Sequence, residues 1–141
     1  MTSRQKRLIR ETFPAIREVV GLLVQLFYGR LFQIAPSVRA MFPNDISVQK
    51  RKFSDMLSLL VEGLDNFDQQ QPALRALGAR HVAYGVVPEH YDTLATAFLW
   101  ALGQMLRPDF SQDCEGAWAA LIQEVSAAMK AGAAELTETP A

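Results

Sequence analysis

Residues 72–91 read Pro-Ala-Leu-Arg-Ala-Leu-Gly-Ala-Arg-His-Val-Ala-Tyr-Gly-Val-Val-Pro-Glu-His-Tyr, and this stretch decides how the rest of the chain is read. Proline opens a helix readily, because its missing N–H would be unpaired in the first turn anyway. Leu74, Leu77, His81 and Tyr84 then recur at three- and four-residue spacing, an apolar face with an imidazole set into it. Gly85 offers the left-handed cap that ends such a helix. Pro88 opens the next one, which carries Tyr91, Leu94, Phe98, Leu102 and Met105 to about Leu106.

The same periodicity extends in both directions. A first helix is expected from Ser3 to about Val20, kinked at Pro14. A second, from Gly21 to Ile34, has Leu22, Leu26, Phe27, Leu31 and Ile34 as its apolar stripe. Pro36 starts a short helical turn ending near Met41-Phe42, and Pro43-Asn44-Asp45 breaks the chain. From Ile46 a long amphipathic helix carries Phe53, Met56, Leu57, Leu60, Val61 and Leu64, with Gln49 one turn before Phe53. Ser111 caps a last helix bearing Trp118, Leu121, Ile122, Val125 and Met129, and the tail from Leu136 is expected to fray. Alternating β-branched runs and hairpin signals are missing. The reading is all-α: one domain over 1–141 with its core at about 4–133. Its seven or so unequal helices suit crossed packing around a pocket.

Composition narrows the function. At 141 residues, half of them hydrophobic, the chain buries about two-thirds of its unfolded surface. A formal charge of −1 argues against a nucleic-acid partner. One cysteine, Cys114, excludes an intramolecular disulfide and a multi-cysteine metal cluster; it falls in an acidic helix start expected to face solvent. No secretory leader is visible behind Met1-Thr2-Ser3-Arg4, and no 18-residue uncharged apolar run could cross a membrane, so a cytoplasmic protein is expected. Zinc wants three or four protein ligands, and the chain has two histidines, His81 and His90. Nucleophile elbows and phosphate loops are absent. Haem needs only one axial ligand, since it brings four nitrogens itself. His81 can be that ligand, or simply a hydrogen-bonded core histidine; taken by itself, the residue leaves both readings open.

Order along the chain adds what composition cannot. Leu26-Phe27-Tyr28, Pro36-x5-Phe42, Gln49-x3-Phe53, His81-x2-Tyr84-Gly85-Val86, His90-Tyr91 and Trp118 follow one another. This pattern resembles the globin family over about residues 4 to 133. Within that family it is similar to bacterial single-domain globins of the thermophilic type and to the haem domains of flavohaemoglobins. The resemblance implies haem b (iron protoporphyrin IX) as cofactor, with His81 as the proximal iron ligand and Phe42 stacked on the ring. It makes Tyr28 and Gln49 the distal pair that stabilises a bound ligand. Phe53, Leu77, Val86 and Tyr91 are then haem-pocket contacts, and Lys52 and Arg80 become candidates for the propionates. Phe53 is larger than the aliphatic residue common at its position and is expected to narrow the cavity or shift Gln49. Tyr91 stands ten residues after His81 as in flavohaemoglobins, where a glutamate completes the proximal network; the matching position here is Ala133. His90 is expected to contact a loop or surface group.

Three functions follow from that resemblance. One is reversible oxygen binding, for transport, storage or scavenging, since hydroxyl and amide donors steady a ligand with partial superoxide character. Another is nitric oxide dioxygenation, which would need a separate reductase, because no flavin or nicotinamide domain follows the globin pattern in this chain. The last is a gas sensor or interaction module. Oxygen, nitric oxide and other diatomic molecules are the expected partners, with no nucleic acid and no membrane.

Overall fold

A computed structural model describes residues 1–138. It contains α1 (Ser3–Arg17), α2 (Val20–Ile34), a short 3-10 helix (Pro36–Met41), α3 (Ser47–Glu62), a single 3-10 turn (Leu64–Asn66), α4 (Phe67–Ala83), α5 (Pro88–Leu106) and α6 (Gln112–Glu138). Among the described residues there is no strand, and no helix is long and apolar enough to cross a membrane.

Local chemistry accounts for most boundaries. The Thr2 hydroxyl accepts from the Gln5 N–H while the Gln5 side chain accepts from the Thr2 N–H, a reciprocal cap that starts α1. Ser111 Oγ accepts from the Cys114 N–H at 3.1 Å and starts α6 as expected. Gly85, at φ 89°, closes α4: its N–H reaches the Val82 carbonyl and the Val86 N–H reaches that of His81.

Several expectations give way. Helix α4 begins at Phe67, so Pro72 lies inside it. Leu64 and Phe67 anchor this segment in the core earlier than the proline suggested. The one bond that Pro72 forgoes belongs to the carbonyl of exposed Asp68. In α2 the buried stripe is Leu23, Val24, Phe27, Tyr28 and Leu31, whereas Leu22 is 49% exposed and Ile34 also faces solvent. The contact with α5 selects a face rotated by one residue from the expected one. Cys114 is buried, because it opens the Cys114-Ala117-Trp118-Leu121 stripe of α6 that faces the core. Tyr84 leaves the α4 stripe and stands 63% exposed beyond the helix end. The helical backbone continues through Glu138, and Thr139–Ala141, the end of the expected frayed tail, lie outside the described residues.

The core has two parts. The larger gathers α1, α2, α3, α5 and the start of α6 around Phe27, Phe98 and Trp118. The smaller joins Leu60, Leu74, Tyr91, Ala128 and Met129, with Leu77 and Val86 against it. Helix α3 leans mainly on α2 and α1, while α4 lies along α6, and Leu60 of α3 meets Leu74 of α4 in the smaller core. That α4–α6 contact is backbone on backbone. A Cβ at Gly78 would run into the Met129 carbonyl, and one at Gly132 into that of Arg75.

Candidate functional site

The candidate residues form two groups, one around His81 on α4 and one around Tyr28 on α2. His81 sits in the last turn of α4, half-buried, with Nδ1 2.7 Å from the Leu77 carbonyl. A carbonyl only accepts, so Nδ1 carries the proton and donates. Burial lowers the imidazole pKa below its ordinary 6.5; the Leu77 bond pulls the other way and nearby Arg80 reinforces the lowering. The ring is therefore neutral at neutral pH, with its Nε2 lone pair left for a ligand. Tyr84 meets the ring edge-on at 5.9 Å.

Tyr28, on α2, belongs to an aromatic cluster. Its ring meets Phe42 edge-on at 5.7 Å and Phe53 at 6.1 Å, while Phe53 stacks on Phe27 at 4.7 Å. Phe53 also meets Phe98 at 5.6 Å, so it packs where α2, α3 and α5 meet. Burial alone pushes the Tyr28 hydroxyl up to about 12, so it stays a protonated donor throughout the physiological range. Gln49, in the first turn of α3, has its side-chain carbonyl oxygen buried with no hydrogen-bond partner.

The other expected residues divide. Leu77, Val86 and Tyr91 come together in the smaller core, and the Val86 N–H bonds the His81 carbonyl. The Tyr91 hydroxyl is buried without a partner, and Lys130 Nζ lies 5.9 Å from the centre of its ring. Ala133 offers no side-chain acceptor. Lys52 and Arg80 are exposed; Arg80 acts on His81 only through its charge, and among the described residues no hydrogen bond or ion pair ties Lys52 to the rest of the set. His90 turns back on its own helix start, its Nδ1 accepting from the Val87 N–H at 3.0 Å. Two open grooves of about 480 and 380 Å³ flank α6; neither includes His81, Tyr28 or Gln49.

Two features escaped the sequence reading. The Leu77 carbonyl fixes the imidazole; its signal was the four-residue step back from His81 on a helix. Arg39 gathers loop carbonyls beside Phe42, which no motif announces.

By their chemistry these residues suit a largely apolar guest carrying a metal: α4 offers an imidazole whose Nδ1 is committed to a carbonyl, and α2 and α3 carry an aromatic cluster with the Tyr28 ring and an amide oxygen without a partner. Among the described residues no group of three or more His, Cys, Asp or Glu could hold a metal ion by itself.

The globin family profile matches residues 25–129. A rice (Oryza sativa subsp. indica) anaerobic nitrite reductase is 24% identical over 132 residues, covering 89% of this chain and 91% of its own length. A flavohemoprotein of Xylella fastidiosa is 28% identical, covering 79% of this chain, which spans only 28% of that longer protein. Among solved structures, a bacterial globin from Campylobacter jejuni superposes with a TM-score of 0.86 at 20% identity, over 98% of this chain and 100% of its own. A carbene transferase engineered from a candidate nitric oxide dioxygenase of Rhodothermus marinus gives 0.88 at 21%, over 97% and 96%. At such identities the structural likeness speaks for the fold alone.

Proposed function

The chain belongs to the globin family, and from that premise we propose that it holds haem b between α3 and α4 and binds oxygen reversibly. The observation that carries the reading is the His81 imidazole, neutral and locked to the Leu77 carbonyl with Nε2 free. A bound haem would supply the iron at which a diatomic gas binds. His81 would be its protein ligand, and Phe42, Phe53, Leu77, Val86 and Tyr91 its apolar surroundings.

The rest is work for the chain's own side chains. Tyr28 keeps its proton and can donate a hydrogen bond to a polarised diatomic guest. Gln49 has an amide that can turn its N–H toward the same guest and relieve its orphaned oxygen. Phe42 and Phe53 exclude water on that side. The proximal side favours reversible binding. His81 donates to a neutral carbonyl, Tyr91 has no carboxylate partner, and the charged neighbours Arg80 and Lys130 are cations. An imidazole so placed is a modest electron donor.

Nitric oxide dioxygenation with a separate reductase is the second reading, which the same Tyr28 and Gln49 donors would serve. An absorption spectrum of the purified protein tests the haem: a Soret band that moves on adding oxygen or carbon monoxide to the reduced form is expected, and its absence would overturn the proposal. Nitric oxide consumption sustained by an added reductase would identify the dioxygenase instead of the carrier.

A further inference from the structure

Helix α3, which carries Gln49, is reached through a loop that has almost no backbone hydrogen bonding of its own. Phe42 ends the preceding 3-10 helix in extended conformation, and Pro43 has no N–H to give. The carbonyls of residues 42–44 are nevertheless all satisfied, and by one side chain. Arg39 Nη1 donates to the Phe42 carbonyl at 3.3 Å and the Pro43 carbonyl at 2.8 Å; Nη2 donates to that of Asn44 at 2.9 Å. The guanidinium also lies over the Phe32 ring, 5.2 Å from its centre. Phe32 in turn meets Phe42 edge-on at 5.5 Å and Tyr28 at 5.9 Å. On the far side of the loop, Asp45 Oδ1 accepts from the Ser47 N–H at 3.0 Å and from its hydroxyl at 2.6 Å, which fixes the start of α3. Those bonds hold the Asp45 carboxyl below the usual carboxylate range.

We propose that Arg39 is the positioning residue of the distal wall: it gathers the 42–44 carbonyls, holds Phe42 against Tyr28, and sets where α3 and Gln49 begin. The proposal rests on the reading of Tyr28, Phe42 and Gln49 as the ligand-facing set. Arginine suits the task because its planar fork spreads several donors over carbonyls at different angles while its face stacks on an aromatic ring. Lysine, a point charge on a flexible stem, can satisfy one carbonyl at a time and cannot stack in the same way.

The test compares wild type with Arg39→Ala and Arg39→Lys by two readouts. Amide hydrogen exchange in the free chain should accelerate at least about tenfold over residues 42–50 in Arg39→Ala and leave α5 and α6 unchanged, since hydrogen bonds to a charged group are lost from a single local opening unit. In the reduced, carbon monoxide-bound form, the ligand stretching band should be single in wild type. It should split in both variants, as Gln49 and Phe42 sample more than one position. Arg39→Lys should regain part of the exchange protection without restoring the single band. Unchanged exchange in Arg39→Ala would overturn the clamp. Faster exchange with an unaltered ligand band in both variants would make Arg39 a loop stabiliser only, and would equally overturn its distal role. If wild type takes up no haem, the functional reading fails by itself, and the exchange experiment alone decides whether Arg39 holds the loop.

Discussion

Replacing Gly78 with alanine asks the protein to part α4 from α6. A Cβ at this position would lie far inside the 3.4 Å at which ordinary contact begins, and what it meets is the Met129 carbonyl and Cα, not a side chain that can swing aside. The mirror-image collision at Gly132, against the Arg75 backbone, shows that the helices touch along a stretch and leaves no slack at either end. Relief therefore requires a rigid shift of one helix by more than about an ångström, which loosens Leu74, Tyr91, Ala128 and Met129 together. Overpacking of this kind costs roughly 1–3 kcal/mol, with backbone collisions at the upper end, and alanine's better helix propensity returns about 1 kcal/mol at most. A net loss of about 2 kcal/mol is expected, a fall of roughly 5–8 °C in melting temperature for a chain of this size.

Thermal melting followed by circular dichroism at 222 nm measures this directly. Gly29→Ala is the matched control, for Gly29 is in mid-helix with nothing within 4 Å of its added methyl. It should gain about 0.5–1 kcal/mol from reduced backbone freedom. Because His81 is one turn from Gly78 on the same helix, Gly78→Ala should also release haem faster to an acceptor protein, whereas Gly29→Ala should not. A Gly78→Ala protein that melts at or above wild type, or that behaves like the Gly29 control, would refute the view that this crossing fixes α4.

The remaining predictions concern the site. His81→Ala should hold little haem until imidazole is added, and undiminished haem with an unchanged spectrum would sink the assignment. Tyr28→Phe should speed oxygen release about ten- to a hundredfold, the loss of one bond worth roughly 1.5–3 kcal/mol, with much less effect on carbon monoxide; equal effects on both gases would mean a steric role. Gln49→Leu should have little effect alone and a large one after Tyr28 is removed, so a double-mutant cycle on oxygen release should be non-additive by roughly 0.5–3 kcal/mol, whereas strict additivity would deny that the two share a ligand. The depressed His81 pKa means the unfolded chain takes up a proton that the folded one resists. Its contribution to stability is thus present above pH 6.5 and is lost as pH falls from there toward the lowered folded value. Wild type should lose stability over that window faster than His81→Ala, and parallel pH profiles would contradict the shift.

The half of the site around His81 was legible because its determinants are local. Leu77, His81, Gly85 and Pro88 form one turn-by-turn grammar of stripe, imidazole, cap and restart, and the structure keeps that spacing even though the helix begins five residues before Pro72. Physics that joins distant segments left no such trace. Gly78 looks like an ordinary weak spot in a helix until Met129 is laid against it, and Arg39 is one more surface cation until the chain turns back over it. Tyr84 had the right spacing for the α4 face, yet a stripe does not say where its helix ends; one residue before the Gly85 cap, the ring is carried out toward solvent.

Where sequence pattern and packing do meet, they do so through a deficit. Among the described residues, only Gln49 Oε1 and the Tyr91 hydroxyl are buried side-chain polar atoms without a partner. Each such orphan costs about 1–3 kcal/mol, and folded proteins rarely keep them. Both belong to residues that the order of motifs had already singled out, one in the first turn of α3, the other packed with Leu77 and Val86. A chain stabilised only for its own sake would have leucine and phenylalanine there. Under the proposed function, a polar guest from outside the chain would take up the Gln49 amide. Tyr91 is different: with alanine at 133 and a cation over its ring, its hydroxyl has no acceptor to pass a pull on to His81. Under the proposed function, Tyr28 and Gln49 would supply the donors to a polarised ligand while Tyr91 would leave His81 a mild electron donor, a combination that would suit binding and release better than bond cleavage.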